Sequence, residues 1–291
     1  MATIGIGRRR RSWRRLMREV IRQLFTYTLL IILGVAVMLP FLWTLSSSLK
    51  PPGAGIKFPP EFIPRQFVWD NYPHVFRLIP FLTFFKNSVI VTSLAVIGEV
   101  ISASLVAYSF ARLRFPGRDA LFVLVLATMM IPYPVTMVPT FIMFKLLRLV
   151  NTFLPLILPP YFGPAFSIFL LRQFFLTIHL ELDEAAKVDG ASEFLIYRRI
   201  ILPLSKPALA TVAIFSFMYN WNDFLNPLIY LSDNDMYTLA LGVNFLRSFR
   251  GGGELSLQMA ASVMFVAPCI ILFFVAQRFI VQGIVTTGIK G

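Results

Sequence analysis

Apolar residues in this chain fall into six long runs rather than short alternations. They cover residues 24–45, 84–108, 120–144, 152–175, 207–230 and 257–280. A helix that crosses hydrocarbon needs about 20 apolar residues, so each run predicts one transmembrane helix. Prolines punctuate the third run (Pro132, Pro134, Pro139) and the fourth. Each removes a backbone donor and opens a kink, tolerated where neighbours or water satisfy the freed carbonyl. The stretch 46–80 carries Pro51, Pro52, Pro59, Pro60, Pro64 and Pro73 among aromatics such as Trp69 and Tyr72. That density of proline argues against a regular helix. It predicts a segment lying on the membrane surface or against a partner.

Composition strengthens the membrane reading. Hydrophobic residues make up 57% and charged residues 14%, where a globular domain has about 25% charged. A water-soluble chain of this size has nowhere to hide so much apolar surface. The economical reading is an all-α, polytopic membrane protein in contact with lipid. Its first segment, 1–83, holds a basic N-terminus, the first helix and an outer loop. A core of five helices follows over 84–291.

Charge then orients the helices. The net charge is +13, and 18 of the 27 lysines and arginines fall on one side of the six-helix arrangement. Arg8 to Arg11, Arg14, Arg15, Arg18 and Arg22 lead that set. Cytoplasmic loops carry such an excess, so both termini are expected in the cytoplasm. The basic start is read as an anchor on anionic lipid rather than a nucleic-acid arm. The apolar run after it has 22 residues. That is too long for a signal-peptide core, and an uncleaved first helix is expected.

One loop differs from the rest. Residues 181–207 read ELDEAAKVDGASEFLIYRRIILPLSKP, on the expected cytoplasmic side. Acids cluster at the start of a first short helix, where the helix dipole favours them. Gly190 supplies a left-handed stop. Ser192 caps a second helix, and Pro203 and Pro207 end it. Leu182, Ala185, Ala186 and Asp189 share one face, and small alanines there allow close approach by another protein. A short exposed helix of this kind suits docking into a cleft of a soluble partner. An interfacial helix that merely joins two spans is the plainer alternative.

Glu184-Ala185-Ala186, Asp189-Gly190-Ala191 and Ile201-Leu202-Pro203 resemble the EAA loop of ATP-binding-cassette importer permeases. Lys86-Asn87-Ser88, Asn151-Thr152, the run Tyr219 to Phe224 and the closing Gly288-Ile289-Lys290-Gly291 extend the likeness to the MalG-like subunits of carbohydrate importers. Asp223 stands where family members often carry glutamate. The resemblance implies the type I importer permease fold and a division of labour. This chain supplies half of a sugar path. A second, MalF-like permease supplies the other half, an extracytoplasmic sugar-binding protein delivers the sugar, and an ATPase dimer binds ATP and magnesium. Glu184, Ala185, Ala186, Asp189, Gly190 and Pro203, within the coupling loop 181–206, are then expected to seat in the ATPase. Another polar solute, such as a polyol or glycerol phosphate, is the alternative cargo, and a secondary transporter is a more distant one.

The chain carries no phosphate-binding GxxxxGK[ST] stretch, catalytic set or metal cluster of its own, so no enzymatic activity and no cofactor is expected in it. Asn220, Trp221, Asn222 and Asp223 lie roughly 20–24 Å along the fifth helix from Pro207 at 1.5 Å per residue. Planar polar groups beside aromatic rings suit sugar, which makes these four path candidates. An interfacial aromatic anchor explains them equally simply. Glu99 is costly in hydrocarbon and is expected to face protein or water, either touching sugar or pairing structurally. Gly251, Gly252 and Gly253 permit an adaptable loop that could reach the binding protein.

Overall fold

The computed structural model describes residues 6–53, 61–246 and 255–288. The glycine loop 251–253 therefore lies outside the described residues. The chain divides into two compact units, one formed by 1–71 with 254–263 and the other by 72–253 with 264–291.

In the first unit, α1 (Ile6–Ser48) starts well before the apolar run that predicts it. The basic stretch continues the helix because arginine is a good helix former. Its apolar side chains from Leu24 to Leu39 are exposed in the isolated chain, as a lipid-facing helix requires. Asn71 closes the C-terminal end of α1. Its amide donates to the carbonyls of Ser48 and Lys50, both at 2.8 Å. Asn71 also begins α2 (Asn71–Leu78), a helix in a stretch whose prolines argue against one. Pro73 is tolerated because it lies in the first turn, where no intrahelical partner awaits its missing N–H.

The second unit is organised around α3 (Phe81–Arg112). Three further predicted spans are interrupted. The third consists of α4 (Arg118–Ala127), a 3-10 turn, and α5 (Tyr133–Leu146). They meet at an angle of 98°. Pro132 explains the break, because a residue before proline is pushed out of helical geometry. Ile131 is extended at φ −81°, ψ 115°. The fourth holds α6 (Leu154–Ile157), the 3-10 turn Pro159–Phe162 and α7 (Ala165–Phe175).

The 181–207 loop forms α8 (Glu181–Val188) and α9 (Glu193–Ile196), then a π-turn over Tyr197–Ile201 and α10 (Leu202–Leu204). Contrary to expectation, Pro203 does not end this helix. The wider π-turn just before it relieves the clash between its ring and the preceding turn. After a 79° bend, α11 (Lys206–Trp221) begins. It stops nine residues short of its predicted end near Tyr230, and the chain resumes as α12 (Leu225–Tyr230). The last helices are α13 (Leu239–Phe245) and α14 (Leu255–Gly288). Among the described residues, four helices are long and apolar enough to cross a membrane, or up to six if each bent pair counts as one span.

Close packing on α3 depends on small residues. Ala103 and Ala107 are fully buried against Leu171, Phe175, Ile201 and Val212. In a bilayer, where lipid is as apolar as leucine, such close approach carries helix association. A Cβ at Gly98 would overlap the Tyr161 ring, so only glycine admits the Pro159–Phe162 turn there.

Candidate functional site

The EAA-like loop takes its shape from local chemistry. Gly190 sits at φ +80°. The Ala191 N–H donates to the Ala186 carbonyl at 2.9 Å and the Gly190 N–H to that of Lys187 at 3.0 Å. This pair of bonds is a Schellman closure, the left-handed stop that the sequence predicts. Ser192 then accepts from the Leu195 N–H and caps α9.

Contacts between residues far apart in sequence hold the loop to the rest of the unit. Arg112, the last residue of α3, donates through its guanidinium to the carbonyls of Phe175 (2.9 Å) and Ile178 (2.8 Å) at the end of α7. The same group faces Asp183 of α8 at 3.4 Å, with both side chains over nine-tenths buried. One arginine therefore ties three helix ends together. Burial raises the Asp183 carboxyl above its ordinary range, and the charges of Arg112 and Lys187 offset only part of that. A second strut lies alongside. Lys187 pairs with Glu193 at 2.6 Å, and the Tyr108 hydroxyl of α3 donates to the same carboxylate at 2.9 Å. Arg112 enters the sequence reading only as part of the positive charge, because its partner lies 71 positions away.

With one side of α8 anchored, the other is left bare. Glu184, Ala185, Asp189, Gly190 and Pro203 are exposed, and Ala186 is half-buried. Apolar Leu180, Leu182, Val188 and Phe194 are exposed beside them, Val188 to 88%.

The intramembrane candidates separate into different environments. Glu99 is 8% exposed on α3. Its two carboxylate oxygens accept from Ser167 of α7 at 2.5 Å and Ser216 of α11 at 2.6 Å. Glu99 thus pairs within the protein and joins three helices. Ser216 passes the network on, since the Asn220 amide donates to its carbonyl at 2.8 Å and lies 3.3 Å from its hydroxyl.

Asn220 and Asp223 line a cavity of about 270 Å³ together with Tyr133, Tyr219, Asn226 and Tyr230. Asp223 also explains why α11 stops early. Its carboxylate accepts from the Asn226 backbone N–H at 3.1 Å and its side-chain amide at 2.8 Å, tying the turn after α11 to the first turn of α12. Tyr133 donates to the Asn226 amide oxygen at 2.5 Å. The other two candidates lie elsewhere. Trp221 is 2% exposed, donates to the Phe265 carbonyl at 3.1 Å and stacks on Phe217. Asn222 is exposed and turns back to the Met218 carbonyl. A helical turn of 100° per residue sends adjacent side chains to different faces, so four consecutive residues could not share one wall.

The motif residues outside the loop act as fasteners. The Asn87 amide donates to the carbonyls of Asp235 and Tyr237, and Ser88 accepts from the Leu239 N–H. Asn151, at φ +61°, accepts from the N–H groups of Ser232 and Asp233. Together they pin the segment between α12 and α13.

Residues 99–286 match the family model described as binding-protein-dependent transport system inner membrane component. The chain belongs to this family. It is therefore a multi-pass inner-membrane transport component, a permease subunit. It is 38% identical over 231 residues to the arabinooligosaccharides transport system permease protein AraQ of Halalkalibacterium halodurans, covering 79% of this chain and 82% of the relative. It is 30% identical over 269 residues to the sn-glycerol-3-phosphate transport system permease protein UgpE of Yersinia pestis, covering 90% and 95%. The fold matches a chain from the crystal structure of a bacterial ABC transporter that imports the acidic polysaccharide alginate. The TM-score is 0.76 at 24% identity, over 90% of this chain and 97% of that one.

Proposed function

We propose that this permease forms half of an oligosaccharide path and couples it to a separate ATPase through α8. The observation that carries the reading is the two-sidedness of α8. One face is locked to α3 and α7 by a buried ion pair, while the other exposes Glu184, Ala185, Val188 and Leu182. A rigid mount behind a bare apolar face suits transmission of force from a soluble partner into the bundle. On this reading α8 faces the cytoplasm and seats in an ATPase subunit that binds ATP and magnesium. A second permease completes the path. An extracytoplasmic binding protein delivers the sugar, with Gly251–Gly253 as its contact. Asn220 and Asp223 belong to the path wall. Relatives such as the arabinooligosaccharide permease support sugar as cargo.

The test is gentle extraction of the tagged chain from its own membranes, with mass spectrometry of what co-purifies. An ATPase and a second permease are expected. Glu184→Lys and Gly190→Pro should leave membrane insertion intact and abolish transport-linked ATP hydrolysis. Recovery of the chain without partners, active in liposomes in the absence of ATP, would overturn the reading.

A further inference from the structure

We infer that the Asn220–Asp223 cavity admits uncharged, hydroxyl-rich ligands and excludes anionic ones; this rests on the proposed role of that cavity as path wall. Three observations carry it. Among the described residues, the lining holds a carboxylate, Asp223, and no lysine, arginine or histidine. The Tyr133 phenol and one amide hydrogen of Asn226 beside that carboxylate are already committed. Tyr133 donates to Asn226, and Asn226 donates to Asp223. The Asn220 amide nitrogen is committed to Ser216, which leaves its carbonyl oxygen as an acceptor on the wall. A ligand hydroxyl can donate to these acceptors. A phosphate or carboxylate oxygen brings no hydrogen to donate and meets like charge at short range in a low-dielectric setting. The rings of Tyr133 and Tyr219, both exposed, add apolar faces for the C–H side of a sugar ring. Among the relatives with stated cargo, the neutral oligosaccharide type fits this chemistry better than the glycerol phosphate type.

The experiment reads the sign of the field without knowing the sugar. Cys269 is replaced by serine, and one cysteine is placed at Thr140 or, as a second site, at Tyr219, both on the lining. The whole importer, with its partners, is put in nanodiscs. Modification rates are compared for a cationic trimethylammonium-ethyl and an anionic sulfonatoethyl methanethiosulfonate. Relative to a free thiol in solution, the cation should be favoured by about tenfold, and Asp223→Asn should reduce the preference. An unbiased or anion-favouring ratio at both sites overturns the inference. Protection from modification is then measured with arabinotriose, galactotriose and cellotriose, and with trigalacturonate and glycerol 3-phosphate. Protection by a neutral trisaccharide and not by the anions is expected. Equal protection by an anion overturns the inference. A cation-favouring ratio with no protection by any neutral saccharide overturns the oligosaccharide reading and leaves anion exclusion standing.

Discussion

At the C-terminal end of α3, Arg112 and Asp183 meet as opposite charges 3.4 Å apart. Between three and four turns earlier on the same helix, Glu99 is met by two serine hydroxyls. Both sites are buried and both join three segments, yet they are built from different chemistry. A charge pair holds a joint whose two sides must move as one body, because removing either partner strands the other without compensation. Hydroxyl donors give weaker bonds that are individually replaceable. The first arrangement suits the mount of a coupling element. The second suits a place where helices pack tightly beside a cavity.

That contrast can be broken from either side. Arg112→Ala should have the largest effect, because it removes the ion pair and frees the Phe175 and Ile178 carbonyls. A loss of about 3–5 kcal/mol is expected, read as a lowered melting temperature of the purified complex. Arg112→Lys should recover part of it, since an ammonium keeps the charge and loses the fork geometry. Little change in Arg112→Ala would show that α8 is held by apolar contacts instead.

Breaking the hydroxyl side should cost less. Ser216→Ala leaves one Glu99 oxygen without its donor and removes the longer, 3.3 Å contact of Asn220 while keeping its bond to the backbone carbonyl, for about 1–3 kcal/mol. Ser167→Ala should cost a similar amount without disturbing Asn220. Transport assays would then separate the two, with a larger rise in the apparent KM for the Ser216 variant. Gly190→Ala comes next. A side chain at φ +80° costs about 1 kcal/mol in the left-handed region. It should weaken ATPase coupling more than it lowers thermal stability. The smallest effect is expected for Asn222→Ala, within about 0.5 kcal/mol of wild type, because its side chain is exposed and bonds within its own helix. A transport defect in that variant would move the path to a different face of α11.

Particular residues show how far the sequence carries. The apolar runs, the Gly190 stop and the Ser192 cap are legible because each depends on neighbours within a few positions. The breaks at Ile131–Pro132 and at Asp223 were written in local residues too, but a hydropathy window averages over them. Proline density in 46–80 hid α2, since the position of Pro73 within the turn mattered more than the number of prolines. Arg112–Asp183, Tyr133–Asn226 and Glu99–Ser216 span 71, 93 and 117 positions. No local pattern announces such pairs.

Composition and the motif at 184–203 by themselves determined that this chain lives in a membrane and belongs among importer permeases. Both follow from properties that act along the chain, namely the cost of apolar surface in water and residue types at fixed offsets. Tertiary structure decided which polar residues work together. It placed Glu99 with two serines, kept Asn220 and Asp223 on a cavity wall, and sent Trp221 into packed aromatics. Burial imposes that sorting, because a polar group removed from water must find its partner wherever the fold brings one.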